Sequence, residues 1–517
     1  MAIGSPTVYS DFSGGINKEA GPYLLQDNQC QEAWNVYASP LGSLQKRRGF
    51  TTFSSLSALD SVAHSLTPVS LNSRFLLAVG KEPGQNKDRI VSITEGGTST
   101  AIKSGLEPNT RWEFAQAMVS GGEGPIYGVN GVDDPLYWSG ASSSTATATW
   151  TVVGGGTHPA KKCKFLVYHL DTLWASGDPD NPGTIFSSGV TSGSPDFRNW
   201  DTAYQDQVDP GDGQNITGIG KVGPYLLVFK NRKTYVLTNA GAELRAYRPI
   251  STNIGCVAHR SIVETSQGTM FLSEDLGVCL TDGSSVQRIS DPIQPFLKNL
   301  IEINSSAMKN AAATYHDDSY WLSIPQNGTN SMTLQYSLET NSWWFHTCAS
   351  NQFALLDPSG QPKLYSANPA VKNLQQAFVP DVYLDSDTGY DATWEGPFWA
   401  WGDPHMNKRL HQMRADGVGY WKIRIKESFN QDYTPDLEDI IWEPAAGSTA
   451  DWGIGSTEFG DDDSSLLFGA SQGLVQRRYN TPARGWGRAW SIFISDYGSN
   501  LETNIYAISA FIRARAD

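Results

Sequence analysis

The stretches of this sequence that most resemble reactive sites are two glycine-rich motifs. Residues 218–223, GIGKVG, fit the dinucleotide-binding pattern G-x-G-x-x-G. Phosphate binding by that pattern needs the N-terminus of a helix, whereas Pro224 and the apolar run YLLVF follow here. Residues 469–473, GASQG, fit the nucleophile elbow G-x-S-x-G, which needs a histidine later in the chain, but the last histidine is His411. Both stretches are interpreted as turns, and neither predicts an enzyme.

Histidines, cysteines and acidic residues also form no catalytic or metal-binding pattern. The eight histidines include no H-E-x-x-H motif and no i, i+4 pair. The five scattered cysteines give neither zinc spacing nor a disulfide framework, so we expect them to be reduced and buried. Acid and turn residues alternate around Asp178–Asp180 and Asp209–Asp212, without the ligand spacing of an EF-hand. Asp461–Asp463 is interpreted as a solvated loop. We predict no catalytic, cofactor-binding or metal-ligating residue.

The composition predicts an all-β protein built from many short strands. With 517 residues the chain is too long for one ordinary core. Its 50 glycines, 27 prolines and many aromatic residues are typical of strands joined by tight turns. A short apolar run, a turn and a second apolar run recur from residues 75, 126, 173, 225, 270 and 320. The intervals between these positions match a propeller blade, which needs roughly 40–50 residues.

We therefore predict a β-propeller of six or seven blades over residues 56–375. A last hairpin, residues 353–356 with 364–366, is either a seventh blade or the strand that closes the ring. The alternative is a series of unrelated hairpins in two or three sandwiches. After residue 376, alternating runs such as YWKIRIKESF and WSIFISDYG predict a C-terminal β-sandwich over residues 376–517.

Residues 1–55 precede the blades and lack a core of their own. Asp27–Trp34, DNQCQEAW, is predicted to be a short helix with Asp27 as its N-cap. Because this segment has to pack on something else, we predict an extended docking arm with a flexible point at Gly14-Gly15. Such an arm would become ordered on a neighbouring subunit. The prediction fails if the segment folds against its own chain.

The charge of the chain argues against a surface made to hold nucleic acid. The net charge is −15 and the pI is near 5.0, so phosphate groups would be repelled rather than neutralised. The N-terminus has no basic stretch before an apolar run, and no apolar segment approaches the roughly 20 residues that span a bilayer. We expect a soluble protein, made in the cytoplasm, that does not insert into a membrane.

Two sequence stretches near the N-terminus are more informative than the glycine-rich motifs at residues 218–223 and 469–473. DFSGGIN begins at Asp11, and GPYLLQDNQCQEAWNVYASPLGSLQKRRGF occupies residues 21–50. Together, as the N-terminal signature, they resemble the opening of a group of virion proteins of tailed bacteriophages. In that group an aromatic-Ser-Gly-Gly stretch precedes a Pro-Leu segment, Asn-Val and a Gly-x-Leu-x-Lys-Arg-x-Gly end. The matching positions are Phe12, Gly14, Gly15, Asn17, Pro22, Leu24, Asn28, Asn35, Val36, Gly42, Leu44, Lys46, Arg47 and Gly49.

The resemblance implies a structural subunit of a phage tail, without a cofactor and without enzymatic activity. Members of the group resemble the tail nozzle of short-tailed phages, a ring of β-propeller proteins below the portal and adaptor, or are minor tail proteins of long-tailed phages. A closed ring of six copies is implied, or of three at a tail tip. The implied neighbours are adaptor, tube or fibre proteins, and the implied location is the virion after synthesis in the host cytoplasm. Phage DNA would be met only in transit, because an acidic lumen lets it slide.

The predicted docking arm is where we expect contacts with neighbouring copies. Lys46, Arg47 and Arg48 make a compact basic patch on an acidic protein, and arginine suits bidentate pairing across an interface. An ordinary exposed turn is the alternative. The predicted interface residues are Phe12, Gly14, Gly15, Trp34, Lys46, Arg47 and Arg48.

Two other functions remain open from the sequence. A carbohydrate- or receptor-binding tail module would stack tryptophans on sugars, although packing between sheets explains the same residues. The candidates are Trp394, Trp399, Trp401, Trp421 and Trp486. A propeller glycan hydrolase would place two carboxylates about 5–10 Å apart over the central channel, and no sequence pattern marks such a pair.

Overall fold

The structure is a computed structural model of the chain. It describes residues 7–71, 73–119, 122–138, 151–152, 158–191, 194–200, 204–238, 245–357, 360–400, 405–406, 408–418, 422–427, 475–479, 486–497, 500 and 502–514. Within these residues no helix is both long enough and apolar enough to cross a membrane.

The chain divides into two compact units, and each is built from separate segments. The propeller unit consists of Thr51–Leu338 and Cys348–Ala377. The sandwich unit consists of Met1–Phe50, Glu339–Thr347 and Phe378–Asp517. Residues 1–50 are thus part of the sandwich unit.

Short strands make up most of both units. In chain order they are β1 (Thr7–Tyr9), β2 (Gly15–Ile16), β3 (Gln29–Cys30), β4 (Glu32–Trp34), β5 (Val36–Ala38), β6 (Leu44–Lys46), β7 (Thr51–Ser54), β8 (Ser65–Leu71), β9 (Ser73–Lys81), β10 (Asp88–Thr94), β11 (Ser99–Leu106), β12 (Glu113–Val119), β13 (Gly122–Val129), β14 (Leu136–Trp138), β15 (Thr151–Val152), β16 (Phe165–His169), β17 (Thr172–Ser176), β18 (Thr184–Ser187), β19 (Gly189–Thr191), β20 (Ser194–Asp196), β21 (Gln205–Gln207), β22 (Ile216–Val222), β23 (Tyr225–Lys230), β24 (Thr234–Thr238), β25 (Ala246–Ser251), β26 (Val263–Thr265), β27 (Gly268–Ser273), β28 (Gly277–Thr281), β29 (Val286–Arg288), β30 (Ala312–His316), β31 (Ser319–Gln326), β32 (Thr329–Ser337), β33 (Ser342–His346), β34 (Phe353–Leu356), β35 (Lys363–Ala367), β36 (Leu374–Gln376), β37 (Asp391–Glu395), β38 (Lys408–Val418), β39 (Lys422–Glu427), β40 (Val475–Tyr479), β41 (Trp486–Gly487), β42 (Trp490–Tyr497) and β43 (Asn504–Ala514).

The propeller unit is a closed ring of antiparallel sheets, as the sequence predicts. Its sheets are β8–β9–β10–β11, β12–β13–β14–β15, β16–β17–β18–β21, β22–β23–β24–β25, β26–β27–β28–β29, β30–β31–β32 and β34–β35–β36–β7. The first strands of these sheets lie innermost and contact one another in chain order, and β34 returns to β8. The described part of this unit therefore has seven blades, and the hairpin at residues 353–366 is the seventh.

The ring closes by pairing the two ends of the propeller unit. Strand β7 is antiparallel to β36 and supplies the outer strand of the seventh blade. Leu66 and Ala78 of the first blade pack with Ala354 and Ala367 of the seventh in one buried cluster. Similar buried clusters fill the spaces between the first five blades. Because the blades lie radially in a closed ring, each sheet leaves only a short outer edge.

The described residues contain one α-helix, α1 (Gln294–Ile303), in the connection between the fifth and sixth blades. Leu297, Leu300 and Ile301 are buried on one side of it, which is the i, i+3, i+4 pattern of an amphipathic helix. Single 3-10 turns occupy His259–Ser261, Asp291–Ile293 and Met308–Asn310.

The sandwich unit has two main sheets, contributed by distant parts of the chain. One sheet has the order β40–β38–β43–β6–β5, with β1 beside β43 and β41 beside β38. The other has the order β33–β4–β37–β42–β39. A small cavity between them is lined by Val36 and Ile505 from one sheet and by Trp394 and Ile494 from the other. The two sheets therefore pack face to face.

Two predictions about the N-terminal segment are wrong. Asp27–Trp34 is not a helix, because Gln29–Cys30 and Glu32–Trp34 are strands. The segment is also not an extended arm, since β1, β4, β5 and β6 are paired inside the sandwich unit. It does lack a core of its own, but the partner it packs on is the C-terminal part of the same chain.

Candidate functional site

The predicted interface residues of the N-terminal signature lie mostly inside the sandwich unit. Phe12, Lys46 and Arg47 are buried, Trp34 is half-buried and Arg48 is exposed. An exposed basic patch at Lys46 and Arg47 is therefore a wrong prediction, and Arg48 alone of the three keeps its side chain at the surface.

Arg47 is held by residues from two distant segments of the chain, one at Asn35 and the other containing Asp385 and Tyr390. Its guanidinium pairs in bidentate fashion with Asp385, at 2.9 Å from Nη1 to Oδ1 and 2.5 Å from Nη2 to Oδ2. Its Nε donates to Asn35 Oδ1 at 2.9 Å, and the group lies 3.8 Å from the centre of the Tyr390 ring. Asn35 has a φ of +56° and donates from Nδ2 to Thr347 Oγ1 at 3.0 Å. Asparagine tolerates this left-handed conformation better than most residues, which explains its place in the signature.

Lys46 makes a second buried ion pair in the same unit. Its Nζ lies 2.8 Å from Asp496 Oδ2, and both side chains are almost fully buried. Thr503 Oγ1 donates to the same carboxylate oxygen at 3.2 Å. Burial lowers the pKa of the Lys46 ammonium, and the hydrogen bond to Asp496 opposes this shift. Such pairs fix the chain because removing either partner leaves a buried charge.

Gly14 and Gly15 are sites of close packing and not a flexible point. A Cβ atom on Gly14 would lie 2.7 Å from the Asn28 carbonyl oxygen. Gly15 has a φ of +64°, and a Cβ there would lie 2.7 Å from the Ser342 Cβ. Both residues are glycine because a side chain would collide with the neighbouring backbone or strand. Phe12 packs nearby against Trp394, at 5.1 Å between ring centres.

A smaller part of the signature stays at the surface. Leu24 is 81% exposed and Leu41 is 95% exposed, and Tyr23 is 52% exposed although it stacks on Phe398. Exposure of single apolar residues is common, but here three lie between residues 23 and 41, next to exposed polar residues such as Gln26 and Asp27. With Arg48, these side chains belong to the part of the signature that is accessible to another molecule.

The second candidate site is a cavity on the axis of the propeller. It has a volume of about 280 Å³ and is lined by inner-strand residues of most blades. The contributing side chains include Glu113, Val167, Ile219, Glu264, Ala313 and Phe353, which belong to the second to seventh blades in that order. Sequence reasoning missed this cavity because no motif marks the inward side of an inner strand.

Arg260 closes one end of that cavity. It precedes β26 in the fifth blade, and its guanidinium reaches the start of the inner strands across the ring. Nε lies 2.6 Å from Glu113 Oε1, Nη1 donates to the His64 carbonyl oxygen at 2.6 Å, and Nη2 donates to the Trp112 carbonyl oxygen at 3.0 Å. The channel is therefore blocked on the face where inner strands begin.

Arg111 reinforces the same end from the second blade. Its Nη1 donates to the carbonyl oxygen of Asn310, which precedes the inner strand of the sixth blade, at 3.3 Å. Burial, with the nearby positive charge of Arg260, lowers the pKa of Arg111 to about 10. Two arginines thus tie opposite blades together, and solvent access to the cavity is left to the other face.

Several motifs from the sequence have structural roles in the propeller. Residues 218–223 are the end of strand β22 and its turn, and not a phosphate loop. Asp209 and Asp212 bind ammonium groups, because Lys233 Nζ lies 2.7 Å from Asp209 and Lys230 Nζ lies 2.8 Å from Asp212. The carboxylates of these two aspartates are therefore neutralised by lysines of the same chain. Residues 469–473 and 461–463 lie outside the described residues.

Of the five tryptophans predicted as candidates for sugar stacking, the two whose side chains the structure describes are buried. Trp394 and Trp399 are buried, at 1% and 5% exposure, and stack 6.2 Å apart between ring centres. They are core residues of the sandwich unit, so their proposed role in sugar stacking is wrong. Trp401 and Trp421 lie outside the described residues, as does the side chain of Trp486.

In the described ranges no three His, Cys, Asp or Glu side chains are arranged to hold a metal ion. The five cysteines all lie in the described residues and form no disulfide; Cys348 is half-buried and the other four are buried. Burial raises the pKa of the Cys256 thiol to about 12, so this thiol stays protonated and unreactive near neutral pH.

Comparisons with known proteins add little to this description. No protein-family model matches the chain, and no curated protein sequence does. Solved structures that resemble it include the computationally designed Ika8 protein, at 9% identity and a TM-score of 0.38 over 64% of this chain and all of that one. YCF48 bound to D1 peptide matches at 11% identity and 0.37, over 62% and 95%. BBS1N in complex with ARL6DN matches at 10% and 0.39, over 65% and 98%. Likenesses this distant say nothing about what the chain binds.

Proposed function

We propose that this protein is a structural subunit of a phage tail that assembles into a closed ring of identical copies. The observation that carries the proposal is the N-terminal signature, which spans about forty residues and resembles tail virion proteins. The ring would act as a section of the DNA conduit, at the level of a nozzle or a tail tip, and would anchor adaptor, tube or fibre proteins. A closed propeller suits such a part because it leaves only short, protected sheet edges, which do not readily recruit stray strands.

The contact between copies is assigned to the exposed part of the signature. Leu24, Leu41 and Arg48 are accessible, whereas Lys46 and Arg47 are occupied inside their own chain. Apolar side chains at this level of exposure gain free energy when a neighbour covers them. The conduit runs between copies, because Arg260 and Arg111 block the axis of each single propeller.

The test is the oligomeric state of the purified full-length protein. Native mass spectrometry and negative-stain imaging should detect a cyclic species of six copies, or of three, with a central opening. The double variant Leu24→Asp/Leu41→Asp should remain folded and monomeric, because a carboxylate in an apolar contact is strongly disfavoured. Leu170→Asp is the matched control, since Leu170 is an exposed leucine of the propeller unit, and it should still assemble. A wild-type protein that stays monomeric at about 50 µM, well above the Kd of a stable interface, would contradict the proposal.

A further inference from the structure

The axial cavity is closed at one end, half apolar and balanced in charge. Arg260 seals the face where the inner strands begin. Two exposed side chains, Lys221 and Glu264, line the cavity toward the ends of β22 and β26. A ligand would therefore enter from that face and stop at the arginine. The cavity is near the lower limit of small-molecule sites, which hold roughly 300–1,000 Å³, so it suits one small molecule.

The charges that line the cavity cancel one another. Glu113 is paired with Arg260 at 2.6 Å, and Glu264 lies 3.6 Å from Lys221. Burial lowers the pKa of His259, so its imidazole is neutral at pH 7. A ligand with a net charge would lose water here without meeting an uncompensated opposite charge, which is costly. The cavity therefore favours an uncharged ligand.

The walls combine apolar surface with hydrogen-bonding groups. Val167, Ile219 and Phe353 supply apolar surface. Gln352 accepts a backbone hydrogen bond from Leu66 through Oε1 at 2.9 Å, which leaves its amide nitrogen as a donor. His259 Nδ1 is buried and has no hydrogen-bond partner among the described residues. The Gln352 amide, in contrast, can donate a hydrogen bond to a hydroxyl group in the cavity.

We propose that the axial cavity of the propeller binds one uncharged sugar ring. A pyranose combines an apolar C–H face with several hydroxyl groups that both donate and accept, which matches walls that are apolar in part and polar in part. This binding is a function in addition to ring assembly and involves no residue of the sandwich unit, so either proposal can fail alone.

The test is titration of the full-length protein with single sugars, followed by saturation-transfer NMR and calorimetry. The neutral probes are glucose, galactose, mannose and N-acetylglucosamine, and the charged probes are glucuronic acid and glucosamine. At least one neutral sugar should bind with a Kd of about 1 mM or tighter, and the charged probes at least about tenfold more weakly. No binding by any neutral sugar up to about 20 mM would overturn the proposal, as would tightest binding by a charged probe.

Two variants decide whether the binding occurs in this cavity. Ala313→Leu places a larger side chain in the wall and should weaken binding at least about tenfold, whereas Ala101→Leu on the exposed outer strand β11 should leave it unchanged. If Ala313→Leu is unstable, Glu264→Gln serves instead: it keeps an acceptor for the Gly223 N–H but leaves Lys221 without its counter-charge. That variant should bind glucuronic acid more tightly, relative to the neutral sugar, than the wild type does. Binding that neither variant changes would refute the cavity as the site.

Discussion

Replacing Asp385 with asparagine tests whether the N-terminal signature holds the sandwich unit together. In the wild type the Arg47 side chain is fully buried, and Asp385 is its anionic partner, with 26% of its side chain exposed. The asparagine side chain has nearly the same shape but no charge. Asp385→Asn therefore leaves a buried guanidinium without its counter-ion while the packing stays almost unchanged.

The expected cost follows from the burial of the two partners. Removing one partner of a buried ion pair destabilises a protein by roughly 3–5 kcal/mol. Here water reaches Asp385, and Arg47 keeps its hydrogen bond to Asn35 and its contact with the Tyr390 ring. Both features reduce the penalty. We therefore expect a loss at the lower end of the range, about 3 kcal/mol.

The assay is urea unfolding followed by tryptophan fluorescence, with hydrogen exchange at residues 44–47 to locate the effect. Glu302→Gln is the control, because Lys298 and Glu302 form an exposed pair on α1 and such pairs contribute little. The double variant Arg47→Met/Asp385→Asn should lose at least about 1 kcal/mol less than the sum of the single variants, since it removes the unpaired charge. A loss for Asp385→Asn no larger than that of the control would refute the reasoning.

Three further predictions concern buried groups. Burial lowers the pKa of His158 to about 4, so between pH 6.5 and 4 the unfolded chain takes up a proton while the folded imidazole stays neutral. The free energy of unfolding of the wild type should therefore fall by about 3 kcal/mol over this range, and that of His158→Asn should not show this fall. Urea unfolding midpoints measured across the range test this. Gly49→Ala would put a Cβ 2.0 Å from a carbonyl oxygen and should cost about 2 kcal/mol by thermal unfolding, while Gly21→Ala, in open space, should be neutral. Asp212→Asn should lower the free energy of unfolding by about 3 kcal/mol, because it leaves the buried Lys230 ammonium without its carboxylate partner. Millimolar calcium should not change the melting temperature of the wild type, and a shift on adding calcium would contradict this interpretation of the site.

The propeller could be predicted because its signal is local and repeated. Each predicted hairpin, for example residues 75–79 with 90–93, coincides with adjacent strands of a blade. A closed ring could be predicted, but the part of β7 in closing it could not, since β7 pairs with β36 across more than 300 residues. A repeat that hydrophobic spacing missed is Tyr-His-x-Asp-x-x-Trp at residues 168–174 and 315–321. In both copies the tyrosine hydroxyl donates to the aspartate and the indole to the histidine carbonyl.

The N-terminal segment could not be placed from its sequence, because its partners are far along the chain. Strands of two or three residues are too short to show periodicity, so the sequence of Asp27–Trp34 wrongly predicts a helix. The run Lys46-Arg47-Arg48 predicts an exposed basic patch, since nothing nearby in the sequence indicates that Asp496 and Asp385 neutralise two of its charges. The absence of a local core was a correct inference, but it does not distinguish a neighbouring subunit from the chain's own C-terminal part.

The signature therefore contains two kinds of residue, and they have different consequences for function. Asn35 and Arg47 are buried and paired inside the sandwich unit, so their place in the signature is explained by the packing of this chain whether or not it assembles. Leu24 and Leu41 are 81% and 95% exposed, so they contribute little to packing in their own chain, and under the proposed function a neighbouring copy covers them. A variant of Arg47 should reduce both stability and assembly, whereas the Leu24/Leu41 variant should reduce assembly alone. Measuring unfolding and oligomeric state on the same samples separates these two effects; if the leucine variant unfolds as readily as the Arg47 variant, the exposed leucines belong to the fold after all.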